Sequence, residues 1–238
     1  MKLDDKTILV SGANRGIGKA IVEALLKQNV KKIYATARKI EDLPKFGDAR
    51  VVPLALDITK RGQIENAASQ AGDVDLLINN AGVLSFAGVV TGDPAELARD
   101  MEVNYFGTLS MVNAFVPVLE KNGGGAVANV ISVVGLASMA GIGGYSASKA
   151  ALFSATQAMR AELKAKKINV HGIFPGPIDT DMAKGFEMDK TSPQTTAENI
   201  VAGIIAGKED IFPDPMSQHV GEMWAKDPKG LERQFATM

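Results

Sequence analysis

The chain contains no cysteine, only two histidines and one tryptophan, and no long hydrophobic run. The absence of cysteine excludes disulfides, thiol catalysis and cysteine-ligated zinc. His171 and His219 have no neighbouring ligand residues in sequence, so we expect no metal site. No apolar run approaches the roughly 20 residues of a membrane-spanning helix. The N-terminal residues carry acids and do not resemble a signal peptide, and we therefore expect a cytoplasmic protein.

The chain also lacks an excess of either charge. It has 26 lysines and arginines against 27 acids, a formal net charge of −1. Neither nucleic acid nor a membrane surface is therefore expected as a partner. Hydrophobic residues make up 46% of the 238 residues, enough for a substantial core. No repeat or linker interrupts the chain, which predicts one domain over residues 1–238.

Short apolar runs alternate with segments of helical periodicity along the whole chain. The pattern predicts strands over 7–11, 32–37, 51–57, 74–78, 126–131, 168–174 and 210–212, and helices over 19–28, 63–71, 93–120, 145–166, 195–206, 216–226 and 229–236. This alternation is typical of an α/β fold with a doubly wound parallel sheet, which binds ligands at the carboxyl edge of its strands.

Three local features of this pattern carry further expectations. Pro53 is expected near the start of its strand, since proline is excluded from central strand positions. Asn104 falls inside a predicted helix, where asparagine is locally unfavourable, and indicates a bend or a functional role. Residues 178–192 show no regular pattern, which predicts a lid over a site.

A glycine-rich turn follows the first predicted strand and opens the first helix. Its spacing, Gly12-x-x-x-Gly16-x-Gly18, differs from the common Gly-x-Gly-x-x-Gly dinucleotide fingerprint. The strand–turn–helix context nevertheless favours phosphate binding, because free N–H groups and the helix dipole attract anions. A tight turn alone is the alternative.

The residues after the second strand bear on the choice of cofactor. An NAD site places Asp or Glu here to bind the adenosine ribose. This chain has Arg38 and Lys39 instead, which favours the 2′-phosphate of NADP. Arg15, in the glycine turn, is predicted to reach the same phosphate. Asp57, at the end of the third strand, is a candidate partner for the adenine amino group.

Tyr145 and Lys149 are four residues apart on a predicted helix and therefore share a face. An ammonium beside a phenol lowers the phenol pKa towards the working pH and makes the tyrosine a usable acid or base. Ser132, where the fifth strand ends, is expected to share this space. Taken alone, the pair is equally compatible with an ordinary surface contact.

Together these motifs resemble the short-chain dehydrogenases/reductases. Five of them stand in register: the glycine turn, Asn79-Asn80-Ala81-Gly82, Asn104, Ser132 with Tyr145-x-x-x-Lys149, and Pro175-Gly176. The resemblance covers essentially the whole chain. It implies a seven-stranded Rossmann-like sheet and hydride transfer between a nicotinamide cofactor and a carbonyl or alcohol. Two departures, Ser11 for threonine and Ile131 before Ser132, are not expected to affect catalysis.

The resemblance also implies residue roles. Tyr145 is the acid/base, Lys149 lowers its pKa and binds the nicotinamide ribose, Ser132 binds the substrate oxygen, and Asn104 holds a relay water. The implied cofactor residues are Gly12, Asn14, Arg15, Gly16, Ile17, Gly18, Arg38, Asp57, Ile58, Asn80, Ala81, Gly82, Tyr145, Lys149, Pro175, Gly176, Ile178 and Thr180.

The substrate is predicted to be an apolar ketone or aldehyde reduced with NADPH. Apolar residues concentrate on the loops expected around the site: Val83, Val134, Leu136, Met139, Ile142, Met182 and Phe186. Two alternatives remain open, a 3-oxoacyl thioester reductase and a non-catalytic NADP-binding regulator. The resemblance, with an alanine-rich face on helix 145–166, also favours a homodimer or homotetramer.

Overall fold

The computed structural model describes all residues, 1–238, and contains a single seven-stranded sheet. Its strands are β1 Thr7–Val10, β2 Lys32–Ala37, β3 Val51–Ala55, β4 Leu76–Asn79, β5 Gly125–Val130, β6 Ile168–Ile173 and β7 Asp210–Ile211. All pair in parallel, in the order β3-β2-β1-β4-β5-β6-β7. The predicted doubly wound Rossmann-like fold is confirmed.

Eight α-helices connect and cover these strands. They are α1 Gly16–Leu26, α2 Arg61–Gln70, α3 Pro94–Asp100, α4 Thr108–Lys121, α5 Gly143–Leu163, α6 Pro193–Ile205, α7 Pro215–Lys226 and α8 Pro228–Phe235. The predicted helix 19–28 begins earlier, because its first turn lies within the glycine motif. None of the helices combines the length and apolar character that crossing a membrane requires.

The sheet separates two hydrophobic cores. In β1, Ile8 and Val10 belong to the core beneath α1 and α6, whereas Leu9 belongs to the core beneath α2 and α4. Successive side chains of a strand point to opposite faces, so a continuous apolar run fills both layers. From β1 the chain adds β2 and β3 on one side of the sheet, and then returns to add β4 to β7 on the other side of β1. The switch point beside β1 opens a crevice at the carboxyl edge of the sheet.

Pro53 corrects one expectation, since it lies in the middle of β3 rather than near its start. There it pairs with Ala35 of β2, and β3 is the edge strand of the sheet. An edge strand is hydrogen-bonded to the sheet on one side only. A proline whose backbone nitrogen faces the other, solvent side therefore removes no hydrogen bond from the sheet.

The predicted helix 93–120 is interrupted where Asn104 indicated a bend. Between α3 and α4 the chain forms a π-helical segment, Met101–Gly107. Such wide turns insert an extra residue and often mark functional positions. The segment brings Asn104, which is fully buried, towards the loop after β4.

Candidate active site

A cleft of about 590 Å³ lies at the carboxyl edge of the sheet. Every residue predicted to bind the cofactor lines it, from the glycine turn to Thr180. Ser132, Tyr145 and Lys149 also line it, where the segments after β5 and the first turns of α5 meet. The carboxyl ends of strands that are distant in sequence therefore lie together at one crevice, as the parallel topology requires.

The glycine turn is shaped for close backbone approach. Gly12 has φ of +66°, and a Cβ placed there would lie 2.9 Å from the Cα of Ala81. Asn80 uses its side chain here, donating from Nδ2 to the carbonyls of Ser11 and Gly12 at 2.9 and 3.1 Å. The Ser11 hydroxyl accepts from the N–H groups of Asn80 and Ala81, both at 3.0 Å. Serine thus supplies the hydroxyl needed at this position.

Arg15 makes an ion pair at the edge of the cleft. Its guanidinium pairs with Asp181 of the 178–192 segment at 3.3 Å. Asp181 also pairs with Lys184. Arg15 also lines the cleft, and its predicted contact with a 2′-phosphate stays a prediction. Arg38 also lines the cleft and makes no ion pair, and its charge helps to lower the pKa of Asp57.

Hydrogen bonds from Thr59 hold the Asp57 carboxylate in place as a hydrogen-bond acceptor. Its Oδ1 accepts from the Thr59 N–H at 3.0 Å and from the Thr59 hydroxyl at 2.8 Å. Burial opposes its charge, but these hydrogen bonds and the charges of Lys60 and Arg38 lower its pKa overall. Asp57 is therefore a carboxylate at neutral pH and can accept a hydrogen bond.

The catalytic candidates meet on the inner face of α5. Tyr145 and Lys149 are only 8% and 4% exposed, which excludes the ordinary surface pair. Lys149 donates to the carbonyl of Val130 at 2.8 Å, and its Nζ lies 5.5 Å from the centre of the Tyr145 ring. The lysine is thus anchored to the end of β5 beside the phenol.

The pKa values of this pair differ from the sequence-based expectation. Burial raises the pKa of Tyr145, more than the Ser132 hydroxyl lowers it, and the charge of Asp100 raises it further. Burial lowers the pKa of Lys149 to about 8, with Asp100 acting in the opposite direction. The net pKa shift of Tyr145 is therefore opposite to the one expected from the pair alone, because desolvation dominates. The contribution of Lys149 to that pKa stays a prediction. Tyr145 therefore stays a protonated phenol, the form that can donate to a carbonyl oxygen.

Asn104 does not line the cleft. Its Oδ1 accepts from Val83 N at 2.9 Å, and its Nδ2 donates to Val83 O at 2.9 Å and to Ser148 Oγ at 3.0 Å. The side chain thus joins the loop after β4 to α5. The relay water implied for this residue stays a prediction.

Apolar side chains form the outer part of the cleft. Six of the seven predicted apolar residues line it, and Leu136 instead packs against the hydrophobic clusters beneath it. Phe186 packs on Phe86, with ring centres 5.5 Å apart. The sequence did not indicate Leu84, Met216 and Phe235, which also line the cleft. Met216 and Phe235 come from α7 and α8, and only the tertiary fold brings those helices here.

Comparison with known proteins agrees with this geometry. The family model described as short chain dehydrogenase matches residues 6–191. A short chain dehydrogenase from Burkholderia cenocepacia, solved in complex with NADP, shares 38% identity and superposes with a TM-score of 0.94 over 99% of both chains. A 3-oxoacyl-[acyl-carrier-protein] reductase from Thermotoga maritima is 30% identical, over 89% of each chain. An NADP-dependent 3-hydroxy acid dehydrogenase from Schizosaccharomyces pombe is 30% identical, over 86% of this chain and 87% of the relative.

The fold and the cleft define an oxidoreductase that uses a nicotinamide cofactor. The chain belongs to the short-chain dehydrogenases/reductases.

Proposed function

We propose that this enzyme reduces the carbonyl of an apolar ketone or aldehyde with NADPH, and oxidises the corresponding secondary alcohol in reverse. The observation that carries the proposal is the position of Tyr145, whose phenol is buried beside Ser132. Both residues line the same cleft as the glycine turn and the apolar side chains. The burial of Tyr145 keeps the proton on the phenol. A reductase needs that proton, since the carbonyl oxygen becomes a hydroxyl.

The residues of the cleft fit a dinucleotide. Gly12 and Gly18 allow the turn that lines the cleft to pack closely against its neighbours: a Cβ at Gly18 would overlap the carbonyl of Gly12 and the side chain of Asn80. When bound, the reduced nicotinamide supplies a hydride to the carbonyl carbon. The Ser132 hydroxyl donates to the carbonyl oxygen and orients it, and the Tyr145 hydroxyl gives that oxygen its proton. Lys149, protonated below about pH 8, places a positive charge beside the phenol and favours its release of the proton.

The preference for NADP over NAD is proposed to rest on Arg38, which lines the cleft without an acidic ion-pair partner. A hydrogen bond to a charged group contributes roughly 1.5–3 kcal/mol. Arg38→Ala should therefore reduce the NADPH/NADH ratio of kcat/KM by about 10- to 150-fold. Lys45→Ala is the control, because Lys45 is exposed and does not line the cleft. An unchanged ratio in Arg38→Ala would place the phosphate elsewhere.

The second candidate function is reduction of 3-oxoacyl thioesters. It is favoured by relatives from three bacteria that bear the name 3-oxoacyl-[acyl-carrier-protein] reductase, each about 30% identical to this chain. Against it stands the formal charge of −1, which gives no general basic surface for an acidic carrier protein.

One assay set separates these functions. Apolar ketones and aldehydes, 3-oxoacyl thioesters and the matching alcohols are each supplied with NADPH and with NADH, and cofactor absorbance is followed. Fastest turnover of an apolar carbonyl supports the first proposal, and preference for the thioester supports the second. Tight NADPH binding with no turnover of any substrate would indicate the non-catalytic regulator instead.

We also propose a homodimer or homotetramer that uses α4 and α5. A groove between these helices is lined mainly by apolar side chains, including Tyr105, Val116 and Ala155. On the predicted alanine face of α5, Ala147, Ala150 and Ala158 are exposed and Ala151 and Ala155 are half-buried, so the face is not core. A cytoplasmic location stays a prediction from composition.

A further inference from the structure

Asp100 is a fully buried carboxyl group at the end of α3 that the reductase mechanism leaves unused. Its Oδ1 accepts from the Ser85 N–H at 3.1 Å, while its Oδ2 has no hydrogen-bond partner. The Ser85 hydroxyl is also buried and makes no close hydrogen bond, but it lies near enough to the carboxyl group to lower the Asp100 pKa. Burial raises the pKa of Asp100, and hydrogen bonding from Ser85 lowers it in part. A buried carboxyl group that is only partly satisfied is costly, and titratable groups in such surroundings concentrate at functional sites.

Asp100 and Asn104 hold the same segment, residues 83–87, from one helical face. Asn104 binds both backbone groups of Val83, and Asp100 binds the N–H of Ser85. Asp100 and Asn104 are four residues apart and share a helical face, and the residues they bind, Ser85 and Val83, are two apart in the segment. The Gly144 N–H donates to Ala87 O at 3.2 Å and continues the alternation from α5.

Asp100 also lies against the N-terminal turn of α5. A Cβ placed on Gly144, the residue before Tyr145, would lie 3.5 Å from Asp100 Oδ2. The charge of Asp100 acts on both Tyr145 and Lys149. In a buried, weakly polarisable setting such an interaction is much stronger than in water.

Other charges around Asp100 are few. On its own helix, Arg99 and Glu96 are exposed and act on it in opposite directions. Segment 83–87 and the Gly143–Gly144 turn carry no ionisable side chain. The π-helical segment contributes Glu102, which is exposed, and Tyr105, which is half-buried, and α5 contributes Tyr145 and Lys149. Asp100 is therefore the buried acidic group that lies against the first turn of α5, the helix that carries Tyr145 and Lys149.

We propose that Asp100 is a positioning residue for proton transfer: its carboxyl group fixes segment 83–87 against α5 and holds the proton on Lys149 and Tyr145. Its role in turnover rests on the proposed reductase function, whereas its effect on Lys149 does not. Removing the charge should release the proton of Lys149 at lower pH. Asp100→Asn removes the charge while keeping an oxygen that can accept from Ser85.

The test that needs no substrate is a carbon-13 NMR titration of the Lys149 side chain, assigned by its loss in Lys149→Met. The expected midpoint in the unsubstituted protein is about 8. In Asp100→Asn it should fall by about 0.3 to 1 unit, the range expected for a partly screened charge pair. Asp93→Asn is the matched control, since Asp93 caps the same helix but is exposed; its midpoint should match that of the unsubstituted protein.

An unmoved midpoint in Asp100→Asn overturns the proposal, whether or not any substrate has been found. Where a carbonyl is reduced, the alkaline limb of the kcat profile should move to lower pH by the same amount, with KM little changed. A lower midpoint without turnover of any carbonyl leaves the Asp100 effect standing and rejects the reductase. If Asp100→Asn does not fold, Asp100→Ser replaces it in the same titration, with the same two outcomes.

Discussion

At the scale of single residues, the proton on Tyr145 is the most direct test of the chemistry. Tyr145→Phe removes the hydroxyl but keeps the buried ring, so cofactor binding should survive. Loss of a general acid reduces kcat by about 10²- to 10⁴-fold. Single-turnover measurements with NADPH, alongside a binding titration, check both parts. Near-normal turnover in Tyr145→Phe contradicts the assigned role.

Lys149 determines the expected pH dependence. Its pKa is lowered to about 8, so its charge is present below that pH and is lost above it. Since reduction consumes a proton, kcat should decline as pH rises through about 8. Lys149→Met should reduce both turnover and cofactor affinity and remove that limb of the profile. The control is Lys164→Met, because Lys164 is exposed just beyond the end of α5.

Residue identities in the cleft could be predicted from sequence because motif spacing fixes them to strand ends. The glycine turn, Ser132 and Tyr145 all follow or face a strand terminus, and parallel topology gathers those termini. Protonation states could not be predicted in the same way. The i,i+4 spacing indicates that Lys149 is near Tyr145, but not that burial raises the Tyr145 pKa. Asp100 likewise has no motif, and its proposed role depends on its burial and on its contacts with Ser85 and α5.

At the scale of elements, the β1–α1 turn tolerates little change. Gly12→Ala combines a backbone strained at positive φ with a Cβ 2.9 Å from Ala81 Cα. The left-handed conformation alone costs an ordinary residue about 1–2 kcal/mol. We expect the dissociation constant for NADPH, measured by fluorescence titration, to rise at least about tenfold.

Gly47→Ala is the matched control for that change. Gly47 has an almost identical φ of +67°, but no atom lies within 4 Å of the added Cβ. It should lose a similar amount of stability on thermal unfolding and keep its NADPH affinity. Equal loss of affinity in both variants would show that backbone strain, rather than close approach at Ala81, explains the effect.

Element type was predictable, but irregular geometry was not. Apolar runs and helical periodicity gave all seven strands, with boundaries shifted by a few residues at most. Pro53 was misplaced because strand order, which makes β3 an edge, is not visible in local sequence. Asn104 indicated a bend, yet its form, a π-helical segment, depends on contacts with Val83 and Ser148.

At the scale of the whole molecule, the exposed alanine face of α5 predicts self-association. Ala158→Arg places a long charged side chain in the groove between α4 and α5 and should shift the measured mass towards the monomer. Light scattering with size-exclusion chromatography measures this. Ala202→Arg is the control, because Ala202 is exposed on α6, on the opposite side of the sheet. An unchanged mass in Ala158→Arg excludes this face as the interface.

The alternating anchors of segment 83–87 have a consequence for evolution and for engineering. Val83, Ser85 and Ala87 are fixed through backbone hydrogen bonds, which do not depend on the side chains between them. Leu84 lines the cleft, and Phe86 contacts Phe186, which also lines it. Substrate range can therefore diversify at positions 84 and 86 at little cost to folding. A two-position library at these sites is the smallest one in which new substrates should be sought.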